Sequence, residues 1–235
     1  MCCGRVVAVR MVCVATGTLW LLRVAPLCQD YKLARNVFLF TKSEPSAANA
    51  AVVNIGVVPS VCKGVWVNKM VYVFMADGFE EIEAVTVVDI LRRNRIVTKT
   101  VGVGTRSPKG AHGIVISADV TIEEVVLGPD LRMIVLPGGL DNANSLAVSK
   151  DVARCLEYAD KNGRYIAAIC AAPMVLGVNK LLVGKEAVCF PGFEGRLDGA
   201  IVKDADVVVA GNIITARDMG AAMPFSAALV DLLNV

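Results

Sequence analysis

The heptapeptide AAICAAP, residues 167–173, sets a single cysteine between a run of small apolar residues and a proline. With Tyr165 and Ile166 in front, the run YIAAI reads as a short strand that can be buried on both faces. Pro173 suits the first turn of a helix, where a missing N–H costs nothing. Cys170 therefore stands on a sharp strand-to-helix turn. The free N–H groups and the positive dipole end of that helix face its sulfur, so the thiol is expected to ionise easily. The pattern is that of a nucleophile elbow with cysteine in place of serine, lacking the outer glycines of G-x-S-x-G. A packed, inert thiol is the competing reading, because cysteine is among the most buried residue types.

Outward from this turn the chain alternates short β-branched runs with helical periodicity, the signature of a parallel sheet wrapped by helices. VYVFM at 71–75 is the first strand, followed by the helical stretch DGFEEIEAVTVVDILRRN. There Ile82, Val85, Val88 or Asp89, and Ile90 or Leu91 approximate helical spacing, and Asp77 with Glu80 resembles a capping box. IVTKTVGV, GIVIS and RMIVL (132–136) read as strands, with a helix within 149–162 after them. A helix begins near Ala172, AVCF (187–190) is a short strand, and DVVVAGNIITA is a hairpin whose Gly211 and Asn212 supply positive φ angles. The last helix starts near Gly220. The fold class is α/β with a mostly parallel central sheet, so residues at the carboxyl ends of different strands meet along one edge. Three unusual turns fall at such ends: ADGFEE, LPGG at 136–139, and CAAP at 170–173.

At 235 residues and 55% hydrophobic content the chain holds one well-buried domain, placed at 68–235, plus an appendage at 1–67. No uncharged apolar run reaches the roughly 18 residues of a membrane span, so no membrane partner is expected. A net charge of +2, with its densest basic cluster at Arg92, Arg93 and Arg95 on a helix end, implies no nucleic-acid partner. Cys155, Cys170 and Cys189 are the thiols of the domain, and their separation reads as a reducing compartment. No C-x-x-C occurs, and the single histidine, His112, leaves no zinc-type cluster, so neither metal nor cofactor is expected. Gly102 and Gly104 do not complete G-x-G-x-x-G, since Ser107 stands in the last place. Residues 1–29 carry Arg5, Arg10 and Arg23 and no acid, around MVCVATGTLWLL; TKSEPSAANAA has a linker's composition. The segment is a targeting sequence, with the arginines favouring an organellar one, or an upstream piece absent from the mature protein. The expected location is cytoplasmic, or mitochondrial or another organelle if residues 1–67 are a presequence.

The chemistry expected at the edge follows from residue types. Gly138 and Gly139 let backbone approach a ligand closely and offer N–H groups to an oxyanion beside the sulfur. Glu80, Glu81 and Glu83 crowd the first helical turn, where acids favour the dipole. Positions 80 and 83 share a face, and one of them, desolvated over the crevice, could keep its proton and shuttle it. His112 lies in the 104–113 loop, remote in sequence from Cys170.

Together ADGFEEIEAVTVVDILRR, HGIVISAD, IVLPGG, AAICAAP and GNIITAR resemble the ThiJ/PfpI superfamily, on its DJ-one branch of parkinsonism-associated deglycases. The match runs in order over about 68–235. The resemblance implies a flavodoxin-like three-layer sandwich, usually a homodimer, with Cys170 as the reactive cysteine on a strained elbow. It further implies Glu83 as the acid paired with the thiol, and the Gly138/Gly139 loop with the Ala171 N–H as an anion pocket. His112, Phe190 and Arg93 are candidates for supporting roles around this pair, within the chain or across a dimer. Members of the family are described as glutathione-independent glyoxalases, as deglycases of early glycation adducts, and as oxidation sensors with chaperone activity. The expected function is thus cysteine-dependent conversion of 2-oxoaldehydes such as methylglyoxal to 2-hydroxy acids, in defence against oxidative and carbonyl stress, with a small aldehyde as partner. A redox-sensing chaperone acting through Cys170 oxidation is the alternative, and a cysteine peptidase or amidase a third. Three positions depart from the family pattern. Ala171 stands where protease-like relatives carry histidine, Phe190 where some members have histidine, and ARDMGAAMPF replaces a pattern nearer SRGPGTAxEF. Asp218 and Pro224 thereby bear on the local helix start and pocket wall.

Overall fold

The first strand, β1 (Met70–Met75), is buried along its whole length after Met70, as a β-branched and aromatic run without charges should be. The computed structural model describes residues 70–234; the appendage at 1–67, and with it the expected targeting segment, lies outside the described residues. After β1 come α1 (Glu81–Arg93), β2 (Thr98–Gly102), β3 (Val120–Thr121), β4 (Leu131–Leu136), α2 (Leu140–Val148) and α3 (Lys150–Lys161). β5 (Tyr165–Ile169), α4 (Pro173–Val178), β6 (Glu186–Ala187), β7 (Ile201–Val202), β8 (Val207–Ala210), β9 (Ile213–Ala216) and α5 (Ala222–Leu233) complete the order.

Seven strands form one sheet in the order β3-β2-β1-β4-β5-β9-β8, parallel except for the β8–β9 hairpin. Without the edge strands β3 and β8, the five parallel strands follow the doubly wound 2-1-3-4-5 order of flavodoxin. Its strand order reverses between β1 and β4, the place at whose carboxyl ends doubly wound folds hold their ligands. Alternate residues along each strand serve opposite faces. Tyr72, Phe74, Ile134, Leu136, Ile166 and Ala168 pack with Leu146, Leu156 and Met174 from α2, α3 and α4. Val71, Val73, Met133, Val135, Ala167 and Ile169 pack with Val87 and Leu91 of α1 and Phe225 and Leu229 of α5. Each fully buried Leu or Phe contributes roughly 1.5–3 kcal/mol of transfer free energy, and the two clusters hold three layers together.

Helical phase explains the amphipathic elements. On α3 the buried residues are Val152, Cys155, Leu156 and Ala159, and Ser149 caps the start by accepting from the Val152 N–H at 3.3 Å. On α1 the buried stripe is Glu83, Ala84, Val87 and Leu91, whereas Ile82 and Val85, half of the stripe expected from sequence, are 52% and 47% exposed. Both sides of this helix are apolar, so periodicity alone could not choose between them.

Several local expectations are corrected. No capping box joins Asp77 and Glu80: Glu80 is the N-cap residue without a side-chain cap bond, and Asp77 instead accepts from the Lys109 N–H. GIVIS is not a sheet strand. Its Ile114 N–H turns toward Glu81, and only an isolated bridge joins Lys109 to Val115, while Val120 and Thr121 take the place beside β2. In the hairpin Gly211 has positive φ and Asn212 does not; the Asn212 side chain donates to Asp160 and to the Arg164 carbonyl. Of AVCF only Ala187 is in a strand, the two-residue β6. The ARDMGAAMPF departure builds a sound helix start: Asp218 accepts from the Gly220 N–H at 2.8 Å, and Pro224 sits in the first turn of α5.

Candidate active site

β5 delivers Cys170 to its turn with φ of 64°, a left-handed conformation that costs a residue bearing a Cβ roughly 1–2 kcal/mol. The turn is tied on both sides. The Cys170 N–H donates to the Ala216 carbonyl at the end of β9, and the Cys170 carbonyl accepts from the Phe190 N–H at 2.8 Å. The thiol is partly exposed, in contrast to the buried Cys155 and Cys189.

Glu83 is fully buried in the first turn of α1. Its Oε2 accepts from the Gly138 N–H at 2.7 Å, so the turn after β4 holds the acid in place. A Cβ on Gly138 would come within 2.5 Å of Glu83 Oε2, 2.6 Å of Cys170 Cβ and 3.1 Å of Cys170 Sγ. Only glycine fits between acid and thiol. Gly139, with φ of 85°, starts α2 where a side chain would run into the Gly78 carbonyl.

Burial pushes the Glu83 carboxyl up to about 7, against the opposing hydrogen bonds from Gly138 and Cys170; the charges of Glu80 and Asp218 raise it further. Its Oε1 is buried without a donor at hydrogen-bond geometry, which also favours a protonated carboxyl over a carboxylate. Cys170 is pushed up to about 12, first by burial and then by the charge and hydrogen bond of Glu83, while the N–H groups of Ala171 and Gly139 pull it down. The easily ionised thiol expected from sequence is thereby corrected. The helix end and the amides are present, but desolvation and a facing carboxylate outweigh them. The Glu83 charge opposes one on Cys170, so a thiolate is favoured while Glu83 carries its proton.

The structure brings Cys170, Glu83, Gly138, Gly139 and Ala171 close together. Phe190 touches the turn through its backbone, and its ring packs edge-on against Phe193 at 6.2 Å. His112 is not drawn to Cys170. Its Nδ1 lies 2.9 Å from Glu81 Oε2 and 3.8 Å from Glu80 Oε2, and these carboxylates raise its pKa above the ordinary value. Arg93 pairs with Asp89 at the far end of α1, about 15 Å along the axis from Glu83, and has no part in the site within this chain.

Two residues of the site escaped the sequence reading. Asn142, fully buried in α2, accepts from the Ala76 N–H at 2.7 Å and donates to the carbonyls of Pro137 and Gly138, stapling the end of β1 to the glycine turn. A polar residue on the inward side of a helix that follows Gly-Gly was the available signal. Glu81, also buried, accepts from the His112 and Ile114 N–H groups and so anchors the 109–114 loop; burial works to raise its pKa and these bonds, with the His112 side chain, lower it overall. Among the described residues, Glu80, Glu81 and His112 form a group that could hold a metal ion, their ligand atoms all lying within 4.8 Å of one another. Glu81 is already fully engaged, so a cation there would have to displace the proton it shares with His112.

The sequence profile of the DJ-1/PfpI family matches residues 69–232. The chain belongs to the DJ-1/PfpI family. Within that family it is similar to Protein DJ-1alpha of Drosophila melanogaster, 34% identical over 168 residues that cover 70% of this chain and 77% of the fly protein. It is 30% identical over 157 residues to a Caenorhabditis elegans protein named glutathione-independent glyoxalase DJR-1.2, covering 66% of this chain and 83% of that one. A DJ-1 superfamily protein from Salmonella typhimurium, solved as a cysteine-to-alanine mutant, superposes with a TM-score of 0.67 at 34% identity, over 70% of this chain and 90% of the other. The α/β architecture with its mostly parallel sheet is thus that of DJ-1/PfpI structures.

Proposed function

We propose that Cys170 and Glu83 convert 2-oxoaldehydes such as methylglyoxal to 2-hydroxy acids without glutathione, the turn at Cys170 serving as a nucleophile elbow. One observation carries this reading: a partly exposed thiol on a positive-φ turn faces a buried carboxyl whose pKa is pushed up to about 7. The name of the nematode relative supports it. The thiolate adds to the aldehyde carbon, and the carbonyl oxygen takes the proton that Glu83 holds. The Glu83 carboxylate then removes the C1 hydrogen and returns it to C2 through an enediol. The aldehyde carbon is oxidised and the ketone carbon reduced within one molecule, so no external oxidant is needed. Water cleaves the resulting thioester, breaking the C–S bond and restoring the thiol. Positioned proton transfer of this kind accounts for about 10²–10⁴ in rate. The N–H groups of Ala171 and Gly139 are placed to take up developing negative charge. The full chain should form lactate from methylglyoxal without added thiol, and Cys170→Ala should stop it; undiminished turnover in that variant rules the reading out. Deglycase action would be the same addition on a glycation adduct, and needs assay on preformed adduct freed of methylglyoxal.

A second reading is favoured by accessibility: Cys170 is partly exposed whereas Cys155 and Cys189 are buried, so peroxide should oxidise it first, through sulfenate to sulfinate. Peptide mass spectrometry after mild peroxide treatment decides this, and earlier uptake of oxygen by Cys155 or Cys189 would sink it. A peptidase reading has no support, since His112 engages Glu81. For a homodimer the support is the exposed Ile82 and Val85 on α1 with Ile114 and Val115 on the adjoining loop; sedimentation as a monomer at micromolar concentration would contradict it.

A further inference from the structure

We infer that Asn142 is a positioning residue, whose single carboxamide fixes the two peptide units that present their N–H groups to Glu83 and to Cys170. The inference rests on the reaction proposed above for that pair. In a planar trans peptide the C=O and the N–H point in opposite directions, so a grip on the oxygen aims the hydrogen. The Pro137 carbonyl accepts from Asn142 Nδ2 at 2.8 Å, and the opposite N–H of that unit, on Gly138, donates to Glu83 Oε2 at 2.7 Å. The Gly138 carbonyl accepts from the same Nδ2 at 3.1 Å and from the Glu80 N–H at 3.1 Å. The opposite N–H of this second unit, on Gly139, reaches the Cys170 sulfur. The other end of the carboxamide is pinned, Oδ1 accepting from the Ala76 N–H at 2.7 Å. With one donor on one side and two carbonyl acceptors on the other, only this orientation of oxygen and nitrogen satisfies the group.

The turn needs this grip because it is made of two glycines. With no Cβ on either side, the Gly138–Gly139 peptide can rotate by half a turn into other allowed backbone wells; Gly139 has φ of 85° in the present one. Rotation would carry the Gly139 N–H away from the sulfur and bring the Gly138 oxygen toward it. A donor would thereby be replaced by an acceptor at the place where negative charge develops. The same rotation takes a carbonyl from Asn142 Nδ2 and leaves its hydrogen unpaired inside the protein, since Asn142 is fully buried, and that cost opposes the rotation. Glu80 offers the Gly138 carbonyl only a main-chain N–H, so Asn142 is the side chain that sets the orientation. It directs its hydrogen bonds to backbone alone and acts on acid and thiol through the turn.

The test uses the full chain with Asn142→Leu, which removes donor and acceptor while filling the site, and Asn142→Ala, which leaves room to spare. In each, kcat for lactate formation from methylglyoxal should fall by about 10- to 100-fold at an unchanged KM, because the Gly139 N–H is needed where charge develops and not for binding. A crystal structure of either variant should show the Gly139 N–H turned off the Cys170 sulfur. Leu146→Ala is the control for a merely structural role: it loosens the same helix, takes no carbonyl of the turn, and should melt earlier with kcat unchanged. Wild-type kcat in a folded Asn142 variant, a loss confined to KM, or a Gly139 N–H still on the sulfur overturns the inference and leaves the Cys170–Glu83 reaction standing. If neither variant folds, hydrogen exchange in the wild type decides. Both side-chain N–H bonds of Asn142 should then be strongly protected, and exchange as fast as that of an exposed asparagine overturns the inference. A wild type that forms no lactate overturns the proposed reaction instead, and the variant crystal structures still decide whether Asn142 aims the turn.

Discussion

Cys155 in α3 and Cys170 on the β5–α4 turn are both thiols kept from ionising by desolvation. Cys155, fully buried, is pushed up to about 11, and Cys170, partly exposed, up to about 12. Greater accessibility does not make Cys170 an acidic thiol. What separates the two is the neighbour: Cys155 sits among apolar residues of the α3 face, whereas Cys170 faces a buried carboxyl across a glycine. In the proposed mechanism it is this acid, able to hold a proton for the sulfur, that distinguishes Cys170 from Cys155.

The largest expected effect breaks this contrast at its partner. Glu83→Gln keeps an acceptor for the Gly138 N–H but removes the exchangeable proton, so methylglyoxal turnover should fall by about 10²–10⁴, while Cys155→Ser leaves it unchanged. The same variant has an opposite effect on stability. The folded Glu83 value of about 7 lies above its ordinary 4.5, so the unfolded chain releases this proton first as pH rises. Its contribution to stability is full below about 4.5 and is lost as pH passes 7. Glu83→Gln should therefore be close to neutral at pH 4 and stabilising by up to about 3 kcal/mol at pH 8, in denaturant titrations at the two values. Equal effects at both would contradict a raised carboxyl.

Gly138→Ala sharpens the comparison from the other side. Its methyl group would press on Glu83 and Cys170 together, and overpacking of this kind typically costs about 1–3 kcal/mol, so the melting temperature should drop and methylglyoxal turnover should fall with it. The smallest effect is expected at Asp218. Asp218→Asn keeps an oxygen for the Gly220 N–H and removes a charge that raises Glu83, so the midpoint of the Glu83 carboxyl in a ¹³C NMR titration should fall by a few tenths of a pH unit with little loss of stability.

Much of the site was legible because it is local. AAICAAP encodes strand, turn and helix within seven residues, and LPGG carries glycines that only a close approach requires. The order of β-branched runs likewise yields the parallel sheet, and with it the shared edge. What could not be read depends on contacts between distant segments. Asn142 looks like an ordinary helix residue until Ala76 and Pro137 are beside it. GIVIS has a strand's composition, yet Glu81 captures its Ile114 amide. The acidity of Cys170 was misjudged for the same reason: the helix dipole is written in the sequence, whereas burial and the position of the Glu83 charge emerge only on folding.

The central claim is that Glu83 keeps its proton near neutral pH because it lies buried beside Cys170. A ¹³C NMR titration of the Glu83 side-chain carboxyl in the full reduced chain tests it directly. The account requires a midpoint near 7, and a carboxyl that titrates at the ordinary glutamate value near 4.5 would contradict it.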